Sequence, residues 1–204
     1  MIPHRTAAER YPKPTGTACR QLTVVLLISC LPAASAESAD GPRTTIDRLE
    51  YRIEIDQHKR LVNTRKSKGE TLFPFTTDGC SGGVSAGWTL LSSALPAFAK
   101  RHGNRPPWES CCIAHDRLYH KGGESDAEAS FEARRQADEK LRQCVIKSGE
   151  ERTSELTAQT DLDQDEVALL YRGIGDVIYR AVRLGGAPCT GLSWRWGFGR
   201  PPCD

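Results

Sequence analysis

The sequence has almost no imbalance of charge and no run of basic residues. Its 28 lysine and arginine residues nearly match its 26 aspartate and glutamate residues, which leaves a formal net charge of +2 over 204 residues. Domains that bind nucleic acid usually carry a basic patch or stripe. The composition therefore argues against nucleic acid as a partner, while 38% hydrophobic residues are enough for one packed domain.

A hydrophobic run long enough to cross a membrane is also missing. The apolar stretch 22–31 falls short of the roughly 20 residues that a spanning helix needs. It follows a basic segment and precedes the small residues Ala34-Ser35-Ala36. This is the arrangement of a secretory signal peptide with its cleavage site, so we predict a signal peptide over 1–36.

A second interpretation of the leader rests on Leu27-Ile28-Ser29-Cys30, which resembles the lipobox of bacterial lipoproteins. A lipid anchor at Cys30 therefore stays open as an alternative to the soluble form. Both interpretations predict export, so we expect a secreted or periplasmic protein. After the leader we expect polar disorder over 37–45 and a single domain over 46–204.

The cysteines lack the paired spacings that hold zinc. Removal of the predicted signal peptide leaves six of them, and an even number in an exported chain predicts three disulfides. They are Cys80, Cys111, Cys112, Cys144, Cys189 and Cys203.

Start and stop signals predict two central helices. The first begins near Trp108 and ends at Gly122-Gly123. The second begins at a capping box formed by Ser125 and Glu128 and runs to about Val145.

The flanking segments are predicted as follows. A polar linker covers 148–162, a third helix covers 164–183, and apolar residues at helical spacing predict a shorter helix over 88–99. Alternation of apolar and charged residues over 49–55 favours a strand, although Ile46, Leu49 and Ile53 also fit a helix. The basic segment 63–70 is expected to be a loop.

The central helices carry the residues that indicate chemistry. Cys111, His115 and Tyr119 are spaced by four and share a helix face, and Asp138 stands six residues before Cys144. If the helices are antiparallel and Cys111 bonds Cys144, a rise of about 1.5 Å per residue places His115 level with Asp138. Such a carboxylate holds the tautomer of a histidine general base and stabilises its imidazolium.

Asp116 follows His115 directly and indicates a second site. If Cys112 bonds Cys80, the glycine-rich run 79–83 lies one turn from Asp116. Glycine-rich turns can direct several backbone carbonyls at one point. Calcium takes about six to eight oxygen ligands from carboxylates and carbonyls, so this pattern predicts a Ca²⁺ site.

Residues 111–119 resemble the Cys-Cys-x-x-His-Asp-x-x-Tyr signature of the secreted phospholipase A2 family. They read Cys111-Cys112-Ile113-Ala114-His115-Asp116-Arg117-Leu118-Tyr119. Residues 137–144 resemble the family's second helix, in which an aspartate six residues before a cysteine orients the base. The run 79–83 resembles its calcium loop. A longer stretch between the loop and the first helix favours an atypical, bacterial branch.

The resemblance implies calcium-dependent hydrolysis of a glycerophospholipid acyl ester at a phospholipid membrane surface or lipid aggregate. His115 would take a proton from the attacking water, Asp138 would orient His115, and Tyr119 would hydrogen-bond Asp138. Tyr171 and Tyr179 are candidates for a second tyrosine at Asp138. We expect a monomer.

The resemblance also implies the metal ligands, the disulfides and the fold. Calcium would be held by Asp116 and by the backbone carbonyls of Gly79, Ser81 and Gly83. The expected fold is mainly α: two antiparallel disulfide-linked helices with a glycine-rich calcium loop, a flanking helix and an irregular tail. The implied disulfides are Cys80–Cys112, Cys111–Cys144 and Cys189–Cys203.

Two alternatives of other classes remain. The segment 83–87 matches the Gly-x-Ser-x-Gly elbow of serine hydrolases, but a glycine-rich loop precedes it instead of a strand, so Ser85 is a remote candidate. A non-catalytic, calcium-binding, disulfide-stapled module or a membrane-active toxin is the other alternative, since one fold hosts several functions. We interpret four aromatic residues as core, with contact to lipid as the alternative for the tail: Trp88, Trp194, Trp196 and Phe198.

Overall fold

The computed structural model describes residues 45–80 and 103–203, together with a few residues between these segments. Those residues are Trp88, Leu90, Ser93, Ala94, Pro96, Ala99 and Lys100, all of them helical. The predicted signal peptide and the lipobox lie outside the described residues, as do Ser81, Gly83 and Ser85. The interpretations that depend on them stay predictions.

The described segments contain four long helices and no strand, which confirms the prediction of a mainly helical fold. They are α1 (Thr45–Lys68), α2 (Glu109–Lys121), α3 (Ala127–Gln159) and α4 (Gln164–Gly185). Helix α3 contacts each of the other three and is therefore the centre of the arrangement. No helix in the described part is long and apolar enough to cross a membrane.

The strand favoured over 49–55 is wrong, because this segment lies within α1. Leu49 and Ile53 are 58% and 67% exposed, whereas Glu54 and His58 are buried. The buried face of α1 is thus partly polar, and the alternation of apolar residues does not mark it.

The loop expected over 63–70 is also wrong, since α1 continues to Lys68. Arg65 is buried on this last turn, and its Nη1 donates to the carbonyls of Gly123 (3.0 Å) and Glu124 (2.8 Å). Its Nη2 pairs with Glu70 at 2.8 Å. The contacts with Gly123 and Glu124, which are distant in the sequence, stabilise the last turn of this basic helix.

The polar linker predicted over 148–162 is wrong as well, because α3 runs to Gln159. Gly149 packs so closely on α4 that an added Cβ would lie 2.2 Å from Tyr171 Cγ. Burial of Leu156 adds to this contact. Packing on α4 thus stabilises a segment whose own composition is polar.

The helix ends follow capping rules, with one correction. The N-cap of α3 is Asp126, whose carboxylate accepts a hydrogen bond from the Ala129 amide (2.9 Å), so the capping box assigned to Ser125 is wrong. Helix α4 begins with a reciprocal box between Asp163 and Glu166. Helix α2 ends at Gly122, whose positive φ of +73° is a conformation that glycine favours.

The C-terminal tail folds back over α1, α2 and α3. Trp196 is 1% exposed, lies edge-on to Tyr119, and donates from Nε1 to Ser130 Oγ at 3.0 Å. Trp194 is more exposed but its ring lies against Gly185. The tail therefore contributes core residues behind α2.

Three disulfides join the described cysteines, and bonds of this kind fit an oxidising compartment. They link the pairs that the resemblance implies: Cys80–Cys112, Cys111–Cys144 and Cys189–Cys203.

Candidate functional site

Helices α2 and α3 run antiparallel: successive residues of α2 contact residues that come earlier and earlier in α3. Cys111 bonds Cys144, and Nε2 of His115 lies 2.8 Å from Oδ1 of Asp138. The disulfide therefore lies about one turn from the histidine–carboxylate pair and holds both helices in register.

The Asp138 carboxylate is fully buried and is surrounded by donors. Its Oδ1 accepts from His115 and, at 2.6 Å, from the Tyr119 hydroxyl. Its Oδ2 accepts from Nη1 of Arg183 at 3.1 Å. A buried carboxylate with three donors is held in one orientation.

Tyr119 acts as a donor in this group. Burial, followed by the negative charge of Asp138, raises the pKa of Tyr119 well above its usual value. The hydroxyl therefore keeps its proton and donates to Asp138, while it accepts from Nε of Arg134 at 3.1 Å.

The two nitrogens of His115 have different surroundings. Nε2 is paired with Asp138, and no other described residue hydrogen-bonds the ring. A carboxylate that accepts from Nε2–H leaves the lone pair on Nδ1, by assignment from the hydrogen-bond network. With this tautomer, Nδ1 is the ring atom that can accept a proton.

A second buried layer of charge lies behind the pair and was not predicted from the sequence. Glu54 of α1 forms ion pairs with Arg134 of α3 and, at 2.9 Å, with Arg183 of α4. Its Oε1 also meets Nε2 of His58 at 2.9 Å, and Nδ1 of His58 lies 2.9 Å from Ser130 Oγ. One signal existed, the four-residue spacing of Glu54 and His58, but such pairs are usually solvated on a helix surface.

Within the described residues, no tyrosine other than Tyr119 hydrogen-bonds Asp138. Tyr171 instead accepts from Arg152 at 3.2 Å and packs against Trp108, and no hydrogen bond joins Tyr179 to Asp138. The sequence left Tyr171 and Tyr179 as candidates only. Arg183 of α4, and neither of these tyrosines, hydrogen-bonds the second oxygen of the buried carboxylate.

The segment 73–80 lies along α2 in the opposite direction, with about one contact for each helical turn. Phe75 meets His120 edge-on at 5.4 Å between ring centroids. Thr77 Oγ1 donates to Asp116 Oδ2 at 2.6 Å, and Cys80 bonds Cys112. Two residues of extended chain, Phe75 to Thr77, cover nearly the same distance as four of helix, about 6 Å. The three residues from Thr77 to Cys80 also match one turn because the chain bends at Gly79.

Gly79 forms the turn that leads into the predicted calcium loop. Its φ is +78°, and its amide donates to Thr77 Oγ1 at 3.1 Å. An added Cβ would lie 2.6 Å from Oε1 of Glu109. Both the backbone conformation and the close approach therefore favour glycine here.

The environment of Asp116 disfavours its charged form. Burial raises the pKa of Asp116; the hydrogen bond from Thr77 opposes this, and the negative charge of Asp78 adds to it. A hard divalent cation would offset both the burial and the repulsion. In the described part of the chain no three His, Cys, Asp or Glu side chains form a metal cluster, so a cation here would need backbone oxygens as well.

Two of the predicted metal-site residues lie in the described part of the chain. Asp116 and Gly79 are brought to one place by the Thr77 contact and the Cys80–Cys112 bond. Asp78, which the sequence interpretation missed, lies beside them.

Comparisons with protein-family models, curated proteins and solved structures give no match to this chain.

Proposed function

We propose that this protein is a calcium-dependent hydrolase of glycerophospholipid acyl esters, with an arrangement of the phospholipase A2 type. The observation that carries the proposal is the triad of His115, Asp138 and Tyr119, in which Nδ1 of the histidine has no partner among the described residues. Simple binding of calcium requires neither a buried base nor a carboxylate that orients it.

In this proposal His115 accepts a proton at Nδ1 from the water that attacks the ester carbonyl. Asp138 keeps the ring in the Nε2–H tautomer and stabilises the imidazolium that forms. Tyr119 and the helix disulfide keep Asp138 in place. A positioned general base typically contributes about 10²- to 10⁴-fold in rate.

The cation would be held by the Asp116 carboxylate and the Gly79 carbonyl, and the resemblance adds the carbonyls of Ser81 and Gly83. Bound calcium would polarise the ester carbonyl and stabilise the oxyanion. The carboxylate of Asp78, beside Asp116, would supply a further oxygen ligand to the cation. Thr77 holds Asp116 toward the loop that supplies these carbonyls.

The setting of the reaction is proposed from the same features. Three disulfides fit an exported protein, secreted or periplasmic, with a lipid anchor at Cys30 as the alternative. The substrate would be presented by a phospholipid membrane or aggregate, and the enzyme would act as a monomer.

The test is hydrolysis of mixed phospholipid vesicles by the oxidised protein, with calcium and with a chelator. We expect fatty acid release that needs calcium and is lost in His115→Gln, while calcium still binds. His120→Gln is the matched control, because His120 is also buried on α2 but does not contact Asp138.

The opposite results are equally informative. An active His115→Gln protein would rule out the mechanism. A folded protein that binds calcium but releases no fatty acid would favour the non-catalytic calcium-binding module.

A further inference from the structure

We propose that Arg183 is a positioning residue that keeps Asp138 as the acceptor of the His115 Nε2–H bond and so leaves the lone pair on Nδ1. The inference rests on the proposed function for its catalytic consequence, but its structural part stands on the contacts of Asp138 alone. Arg183 lies on α4, outside the segments that carry the resemblance.

The donors to Asp138 are unevenly distributed over its two oxygens. Oδ1 receives two hydrogen bonds, from His115 (2.8 Å) and Tyr119 (2.6 Å). Among the described residues only Arg183 hydrogen-bonds Oδ2, at 3.1 Å, since Nε of Arg134 is 3.9 Å away. Loss of Arg183 would leave Oδ2 buried without a donor, which is costly for a carboxylate.

Arg183 is itself held from several sides. Its Nη2 binds Glu54 at 2.9 Å and Glu50 at 3.2 Å. Its backbone carbonyl accepts from Nη2 of Arg134 at 2.9 Å, and its guanidinium lies 5.6 Å from the centre of the Phe131 ring. The guanidinium therefore joins α1, α3 and α4 and has little freedom to turn away from Asp138.

The charges of this group balance. Glu54, Asp138, Arg134 and Arg183 are all buried, and their formal charges sum to zero when both neighbouring histidines are neutral. Burial lowers the pKa of Arg183, but the carboxylates of Glu54 and Asp138 outweigh this and raise it overall. Removal of the arginine would leave one uncompensated negative charge in the interior.

Two of the ways in which the interior can relieve that charge act at Asp138, and both affect His115. Asp138 can take up a proton, or its carboxylate can rotate to place the bare oxygen near another donor. In either case the bond from Nε2–H weakens, and the ring is free to carry its proton on Nδ1. A ring with Nδ1–H cannot accept a proton at that atom, so the population of competent enzyme falls.

The experiment compares Arg183→Gln with the unaltered protein by two independent readouts. Nitrogen-15 NMR of labelled histidine reports the tautomer of His115, and vesicle hydrolysis separates kcat from KM. We expect a mixture of tautomers and a fall in kcat of roughly 10- to 100-fold, which is typical when a hydrogen-bond partner that orients a site residue is lost. KM and calcium affinity should change little.

Two further variants separate positioning from folding. Arg183→Lys keeps the charge but cannot bind Asp138 and Glu54 through a planar fork, so it should restore part of kcat. If the single variant unfolds, the double variant Arg183→Gln with Glu54→Gln is used instead. It removes one charge of each sign and so keeps the interior neutral. Arg195→Gln is the matched control, because buried Arg195 donates to the carbonyls of Leu192 and Arg200 and not to Asp138.

A single Nε2–H tautomer and an unchanged kcat in folded Arg183→Gln, or in the double variant where the single one unfolds, would overturn the inference. If the unaltered protein hydrolyses no vesicle lipid, the proposed function fails, and the NMR tautomer still decides whether Arg183 positions Asp138.

Discussion

Thr77 and Asp116 are 39 residues apart in the sequence and are joined by a 2.6 Å hydrogen bond. The same hydroxyl accepts from the Gly79 amide, so one side chain connects the loop backbone to the helix carboxylate. The Cys80–Cys112 disulfide adds a covalent link one turn away. Loop and helix thus share two connections at the proposed cation site.

Replacement of Thr77 should therefore weaken calcium binding. Thr77→Ala removes the hydrogen bond to Asp116, and a bond to a charged group is worth about 1.5–3 kcal/mol. Thr77→Ser keeps the hydroxyl and should retain most of the affinity. Isothermal titration with calcium measures the difference, and equal affinities for both variants would mean that Thr77 does not order the site.

Acid should destabilise the fold through His58. Burial lowers its pKa below the ordinary 6.5, and the neighbouring Glu54 offsets this only in part. A lowered pKa means that the unfolded chain binds the proton more tightly, so the contribution of His58 is fully present above about pH 6.5 and declines as the pH falls toward the folded-state pKa.

Glu54 should add a second loss at lower pH. Burial raises its pKa, but the hydrogen bond from His58 and the charges of Arg134 and Arg183 outweigh this and lower it below 4.5. Denaturant unfolding from pH 2 to pH 8 measures both effects. In the variant His58→Gln, the free energy of unfolding should no longer fall with pH just below pH 6.5. A fall that persists in this variant would assign the effect to another group.

The disulfides should differ in their effect on activity. Cys111–Cys144 closes 33 residues and Cys189–Cys203 closes 14, so removal of either by paired alanines should cost about 3–4 kcal/mol. Only the first lies beside His115 and Asp138. We expect much larger loss of hydrolysis from the Cys111/Cys144 pair at a temperature where both variants remain folded, and equal losses would contradict a positioning role for that bond.

Two glycines of the long helices should respond in opposite directions to alanine. A Cβ at Gly149 would lie 2.2 Å from Tyr171 Cγ, whereas a Cβ at Gly173 would meet nothing within 4 Å. Gly149→Ala should destabilise by about 1–3 kcal/mol through overpacking. Gly173→Ala should stabilise by up to about 1 kcal/mol through helix propensity. Thermal unfolding checks both, and destabilisation by Gly173→Ala would mean that the helix is contacted there.

The local sequence by itself determined the helix ends that are marked by glycine. Gly122 ends α2 in a left-handed conformation, and Gly185-Gly186 lie at the end of α4, because these effects act within a single turn. The four-residue spacing on α2 likewise places Cys111, His115 and Tyr119 on one face. Such features depend on neighbours in the chain and can be predicted from it.

Only the tertiary structure decided the extent of α1 and α3 and the composition of the charged layer. Helix α3 continues through a polar segment because Gly149 admits Tyr171 of α4. Glu54 and Arg183 resemble any solvated helix residues in the sequence. They become buried, with Arg183 paired to both Glu54 and Asp138, only when α1, α3 and α4 pack together. The reason is physical: a charge is stable in the interior only with its counter-charges in place, and those lie on other helices.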